Sequence, residues 1–252
     1  MPTRDTAWPN GTPCWIDYGA VDLEAAKTFY TNLFGWSYEG GEPEYGGYLT
    51  AELQDLAVAG LAPQQDPDDP PRWTTYFAAD DVDATAARIT AAGGTLVMPP
   101  TDVGPMGRMV IALDPEGHPF GVWQAGEHIG ARRFNEPGSL VWNETAVDDP
   151  AAARTFYGDV FKFTFDEIEG MGGYTTFATA DRPLGGLAGT QPGAPKGWTS
   201  CFSVASTDDT VAAVERGGGK VTMAAQDSPY GRFAVLEDPW GAAFSVMEGE
   251  TS

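Results

Sequence analysis

The chain is short of basic residues, cysteine and histidine, and each shortage excludes a class of function. Lys and Arg number 14 against 36 Asp and Glu, a net charge of −22 over 252 residues. Such a field repels phosphate backbones and anionic headgroups, so neither nucleic acid nor a membrane is expected as a partner. It favours a cationic ligand, and it also serves simply as a soluble acidic surface. Cysteine occurs only at Cys14 and Cys201, which supports no disulfide framework and predicts free thiols in a reducing cytoplasm. No apolar run approaches the roughly 20 residues that span a bilayer. The opening residues Met1 to Trp8 carry no apolar core of a secretory signal. A Gly-rich phosphate loop, a Ser-His-Asp arrangement and a CxxC pair are all missing, and those chemistries go with them.

What is present is repetition. Trp15, Asp17, Asp22, Phe29 and Tyr30 return in order as Trp142, Glu144, Asp149, Phe156 and Tyr157. Further along, Tyr48 matches Tyr174, Gly60-Leu61 matches Gly186-Leu187, and Trp73-Thr74 matches Trp198-Thr199. The offset drifts only from 127 (Asp22 to Asp149) to 124 (Asp114 to Asp238). The chain is therefore read as α+β, two tandem βαβββ modules forming paired half-barrels: residues 8–125, a linker over 126–138, and residues 139–250.

Each copy opens with a strand of alternating polarity, Cys14–Gly19 or Leu140–Thr145. Asp22 and Asp149 stand at N-cap positions before helices Leu23–Leu33 and Pro150–Val160, the second with proline at its first position. Two or three short strands follow, then a strand from Trp73 or Trp198. A second helix, Val82–Ala92 or Thr207–Arg216, ends at glycines suited to left-handed capping. A hairpin turns on Asp114-Pro-Glu-Gly117 or Asp238-Pro-Trp-Gly241.

With Asp22–Tyr30, Phe34-Gly35, Gly60-Leu61, Asp114–Gly117 and their repeats in place, the chain resembles the vicinal oxygen chelate superfamily. That superfamily includes glyoxalase I, bleomycin-resistance proteins, fosfomycin-resistance enzymes and extradiol dioxygenases. The Trp-x-Asp/Glu openings look most like its tandem actinobacterial subgroup, labelled hydroxylase or glyoxalase-like. The resemblance covers about residues 10–250 and implies a concave sheet enclosing a cavity in each module. It also implies metal-ligand positions, which here hold Trp15 and Trp142, Thr74 and Thr199, Gly121 and Ser245. None of these is a usual ligand, and no metal or other cofactor is expected. Asp17 and Glu144 lie two residues on, about 6.6 Å along the strand; an oxygen-ligated hard cation there stays open. His118 is read as a solvated turn residue and His128 as part of the linker.

If the ligand positions face inward, Trp15, Asp17, Thr74, Tyr76, Gly121 and Trp123 line one cavity. Trp142, Glu144, Thr199, Cys201, Ser245 and Met247 line the other. Asp17 and Glu144 are the candidate catalytic groups, since a carboxylate on an inward face is desolvated and suits a general base. The remaining residues are candidate ligand contacts, with Gly121 and Ser245 expected to leave room. Core packing is the competing reading for the tryptophans, and a face assignment wrong by one residue is the competing reading for the acids.

These features point to a metal-independent protein, monomer or homodimer, binding a bulky aromatic or polyketide-like small molecule. Whether it only holds that ligand or assists hydroxylation, isomerisation or cyclisation stays open. Antibiotic sequestration of the bleomycin-resistance type, a metal-dependent lyase or dioxygenase, and an interaction protein with filled cavities are the alternatives.

Overall fold

The computed structural model describes residues 2–180 and 182–249, so the expected end of the second module at Glu250 lies outside the described residues. In the first module the chain runs β1 (Pro13–Ala20), α1 (Leu23–Phe34), β2 (Ser37–Gly40), β3 (Leu49–Leu53) and β4 (Leu56–Pro63). It continues through β5 (Trp73–Ala78), α2 (Val82–Ala91), β6 (Thr95–Val103), β7 (Gly107–Leu113) and β8 (Pro119–Ala125). The second module repeats this as β9 (Leu140–Val147), α3 (Pro150–Phe161), β10 (Thr164–Glu167), β11 (Thr175–Ala178) and β12 (Gly185–Gly189). It closes with β13 (Gly197–Ser203), α4 (Thr207–Arg216), β14 (Lys220–Ser228), β15 (Gly231–Glu237) and β16 (Ala243–Glu248). Each module thus contains the βαβββ unit twice.

Each module is one eight-stranded sheet, ordered β2-β3-β4-β1-β5-β8-β7-β6 in the first and equivalently in the second. The opening strands of the two units pair antiparallel at the centre, β1 with β5 and β9 with β13. Each opening strand pairs parallel with the last strand of its own unit. The edge strands escape an alternation reading because both their faces are largely exposed. Strand β6 even carries Pro99 and Pro100, with pairing irregularities around them, as only an edge tolerates.

The helices start where the sequence places their caps. Asp22 accepts from Ala25 N at 3.0 Å, and Asp149 accepts from Ala151 N and Ala152 N, each at 3.0 Å. Past the second helices, Gly93 (φ +94°) and Gly218 (φ +90°) take the left-handed conformation.

The convex faces of the sheets meet through the helices, and the modules share both resulting cores. One core joins β1, α1, β3 and β4 to Phe202, Val214, Leu236, Phe244 and Val246 of the second module. The other joins Phe77, Ile89, Val110 and Phe120 of the first module to Phe156, Tyr157, Phe161 and Phe177 of the second. Phe34 stacks on Phe202, and Phe77 lies against Phe161, both with ring centroids 4.6 Å apart.

Two buried latches cross this seam. Tyr30 donates to Asp238 Oδ2 (2.9 Å) and accepts from Trp73 Nε1 (3.1 Å). Tyr157 donates to Asp114 Oδ2 (2.8 Å) and accepts from Trp198 Nε1 (2.9 Å). The turn aspartates also hold their own hairpins: Asp114 Oδ1 accepts from Glu116 N and His118 N, Asp238 Oδ1 from Trp240 N and Ala242 N. His118 is not a solvated turn residue. Its side chain is 14% exposed, sits 3.2 Å from Asp114 Oδ2, and packs so close to Gly197 that a Cβ there would stand 3.0 Å from the imidazole. The Asp114 carboxylate raises its pKa above the usual histidine value.

Candidate functional site

The concave faces carry the candidate residues, and register fixes which ones meet. On the first sheet Trp15 lies opposite Tyr76, and Asp17 opposite Thr74. Tyr76 neighbours Gly121, while Trp123 is aligned with Ala78. On the second sheet Trp142 lies opposite Cys201, and Glu144 opposite Thr199, with Ser245 beside Cys201 and Met247 beside Ser203. In each module the candidates therefore come together on one patch at the centre of the sheet.

Two tyrosines not singled out from the sequence complete each patch. Tyr48 lies over Gly60, beside Asp17, so closely that a Cβ on Gly60 would collide with its hydroxyl, and Tyr174 lies over Gly186 in the same way. Trp15 Nε1 donates to Tyr48 Oη at 2.7 Å, and Trp142 Nε1 to Tyr174 Oη at 2.9 Å. Tyr174 in turn donates to Glu144 Oε2 at 3.3 Å, whereas Asp17 Oδ2 receives its hydrogen bond from Tyr76 at 2.9 Å. The matched Tyr48/Tyr174 and Gly60/Gly186 pairs carried this signal. A ring can lie flat on a sheet only where the residue beneath has no side chain.

Gly121 does not leave room for a ligand. The Tyr76 ring fills the space, and any Cβ at Gly121 would strike it. At the equivalent place in the second module the small side chains of Cys201 and Ser245 stand side by side.

Burial sets the electrostatics. Desolvation pushes the Asp17 pKa up to about 7, against the lowering pull of the Tyr76 hydroxyl. Desolvation also raises the Glu144 pKa, opposed by Tyr174. Both acids remain partly open to solvent, so each can exchange protons with it, Asp17 near neutrality. The Cys201 thiol is pushed up to about 12 by burial, which leaves it protonated and unsuited to nucleophilic attack.

The linker contributes a residue that the sequence did not offer as a site. His128 sets its ring edge-to-face on Trp15 (centroids 4.4 Å) and near Trp123 (5.5 Å), while its carbonyl accepts from Trp123 Nε1 at 2.8 Å. Burial lowers its pKa to about 4. Nothing in the composition of residues 126–138 signals that this segment folds onto the sheet.

The donor set does not fit a three-ligand metal centre. Among the described residues no group of three or more His, Cys, Asp or Glu converges. Each concave patch offers a single carboxylate among aromatic, hydroxyl and thiol groups, and its imidazole, where present, stacks on tryptophan.

The family model for the glyoxalase/bleomycin resistance protein/dioxygenase superfamily matches residues 15–122 and again 139–246. A Mycobacterium tuberculosis protein named "Putative glyoxylase CFP32" is 42% identical over 98% of both chains. The anthracycline biosynthesis protein DnrV of Streptomyces peucetius is 37% identical, covering 96% of this chain and 95% of its own. Among solved structures, homoprotocatechuate 2,3-dioxygenase of Arthrobacter globiformis superposes with a TM-score of 0.68 at 16% identity, over 98% of this chain and 82% of its own. A Mn(II)-bound glyoxalase of Novosphingobium aromaticivorans gives 0.67 at 18%, over 95% and 83%. Those two likenesses speak to fold alone. The twice-matched family model and the full-length relatives establish that the chain belongs to the glyoxalase/bleomycin resistance protein/dioxygenase superfamily.

Proposed function

We propose that the chain is a metal-independent member of its superfamily that binds a bulky aromatic or polyketide-like small molecule on a concave face. The observation that carries this reading is the repeated triad of tryptophan, tyrosine and one desolvated carboxyl, with the tryptophan at a position where the family resemblance implies a metal ligand. An aromatic wall with a single polar anchor suits a flat ligand held by stacking and one hydrogen bond. The name of DnrV, an anthracycline biosynthesis protein, supports the polyketide class.

A carboxyl with a raised pKa can accept a proton from a carbon next to a ligand carbonyl and return it elsewhere on the same molecule. That sequence accomplishes isomerisation or cyclisation with no change in electron count. The net charge of −22 favours a second reading, in which a cationic planar compound is held and released unchanged.

Titration with 1,8-dihydroxyanthraquinone, a flat aromatic polyketide chromophore, tests the binding. Saturable quenching of tryptophan fluorescence is expected, without dependence on added Fe²⁺, Zn²⁺ or Mn²⁺. Stoichiometric metal held by the purified protein and required for binding overturns metal independence. Absence of saturable binding overturns the ligand class. For turnover of a cognate ligand, substituting the carboxyl of whichever face holds it, Asp17→Asn or Glu144→Gln, should abolish conversion while binding persists; conversion surviving both substitutions removes the proton-transfer role.

A further inference from the structure

The duplicated concave faces are not equally available, and the difference names the working site. On the first sheet Trp15, Tyr76 and Trp123 are 4%, 5% and 8% exposed and form an apolar cluster of their own with Cys14, Ala57 and Ala131. Met106, Met109 and Ile111 pack onto that cluster. The segment after β8 then fastens across it. His128 N donates to Met106 O (3.1 Å), Ala131 N to Cys14 O (2.8 Å) and Arg132 N to Ala57 O (2.8 Å). Over Trp15, Tyr76 and Trp123 this face is covered by the protein's own chain, with Asp17 left partly open and a cavity of about 210 Å³ beside Cys14, Ala78 and Trp123.

On the second sheet the floor of Cys201 and Ser245 is also buried, each 4% exposed, but the larger side chains around it are thinned and less covered. Cys201 stands where the first module has Tyr76, and Met247, only partly buried, where it has Trp123. Register places Phe233 beside Met247 and Val235 beside Ser245, so both share the face of Trp142 and Glu144. Trp142 and Phe233 are partly exposed, and neither meets another aromatic ring among the described residues. Tyr230, the counterpart of the packed Met106, is 58% exposed at the turn before β15. The Val235 side chain is 8% exposed yet joins none of the apolar clusters. Two aromatic rings that meet no other ring, a small polar floor and a desolvated acid on one surface form a stacking platform.

We infer that the second module alone holds the ligand, one flat aromatic molecule per chain. It lies between Trp142 and Phe233, over Cys201 and Ser245, with its polar edge on Glu144 and Tyr174. The first module serves as a scaffold whose own side chains and linker occupy the corresponding space. Cys201 and Ser245 set the specificity, since a phenol ring in place of the thiol is what fills the first face. This inference rests on the ligand class proposed above.

Stoichiometry and mapping test it. In native mass spectrometry and titration with 1,8-dihydroxyanthraquinone, one molecule per chain is expected. Trp142→Phe should remove most of the ligand-induced fluorescence quenching while the quenched fraction from Trp15 stays small. Cys201→Tyr should weaken binding by at least about tenfold, and Phe233→Ala, a milder change on a partly exposed strand, should weaken it in the same direction. Asp17→Asn should leave affinity unchanged. Two molecules per chain, or a loss of binding in Asp17→Asn with Phe233→Ala neutral, overturns the assignment to the second module yet leaves the proposed ligand class standing. No binding by the unaltered protein overturns the class itself, and the site assignment with it.

Discussion

The two modules fold alike and differ in what covers their concave faces. In the first, Trp15 is buried beneath His128, and Tyr76 covers Gly121. In the second, Trp142 is partly exposed, and Cys201 with Ser245 replaces the tyrosine and glycine. Duplication supplied the same backbone twice; a few side-chain volumes and one crossing segment separate a covered face from a partly open one.

The largest contrast is expected from the paired tryptophans. Trp15→Ala should cost about 4 kcal/mol in urea unfolding because it opens a cavity in a sealed cluster. Trp142→Ala should cost about 2 kcal/mol or less, since that ring retains contact with water. Equal losses would break the comparison.

The first module should also respond to pH through two opposed groups. Asp17 has a folded pKa of about 7, above its ordinary value, so its contribution is present at low pH and is lost as pH rises from about 4 through 7. His128, depressed to about 4, contributes above pH 6.5 and loses that contribution as pH falls through 4. Each amounts to at most about 3–4 kcal/mol. Relative to the unaltered protein, Asp17→Asn should therefore gain stability as pH rises from 4 to 7. His128→Gln should gain it as pH falls from 6.5 to 4. Unfolding free energies at three pH values across that window check both slopes; parallel slopes would refute the opposition.

The seam offers a smaller and sharper contrast. Tyr30→Phe leaves Trp73 Nε1 without its acceptor and Asp238 Oδ2 with only the neutral Tyr18 hydroxyl nearby, and should cost about 2–3 kcal/mol. Tyr157→Phe should cost less, about 1–2 kcal/mol, because Asp114 Oδ2 keeps His118 beside it. Thermal denaturation of the two variants side by side ranks them.

Below these, Gly121→Ala should cost about 1–3 kcal/mol by displacing the Tyr76 ring. Ser245→Gly, at the matching place in the second module, should stay within about 1 kcal/mol. Weakest of all, the exposed Arg108–Asp83 and Arg232–Asp208 ion pairs should contribute least, because water and salt screen them. Chemical denaturation of Arg108→Ala and Arg232→Ala measures that floor.

Much of the architecture was legible because it depends on local or repeated signals. Asp22 and Asp149 cap their helices as the pattern implies, and alternation on β1 and β9 places Trp15 with Asp17 and Trp142 with Glu144. Edge strands β2, β6, β10 and β14 were harder to read, since a strand wet on both faces has no polarity pattern. His118 was misjudged because a turn residue looks solvated until a second module is laid against it.

The sequence by itself determined the duplication, the order of elements and the face on which each candidate side chain lies, because period, capping and repeat offset are properties of neighbours along the chain. Only the tertiary structure decided that Tyr48 and Tyr174 join the sites, that Tyr76 fills the space above Gly121, and that His128 closes one face. Those outcomes depend on volume and contact between residues as far apart as Trp15 and His128. Filling a cavity is a three-dimensional property that no local pattern encodes.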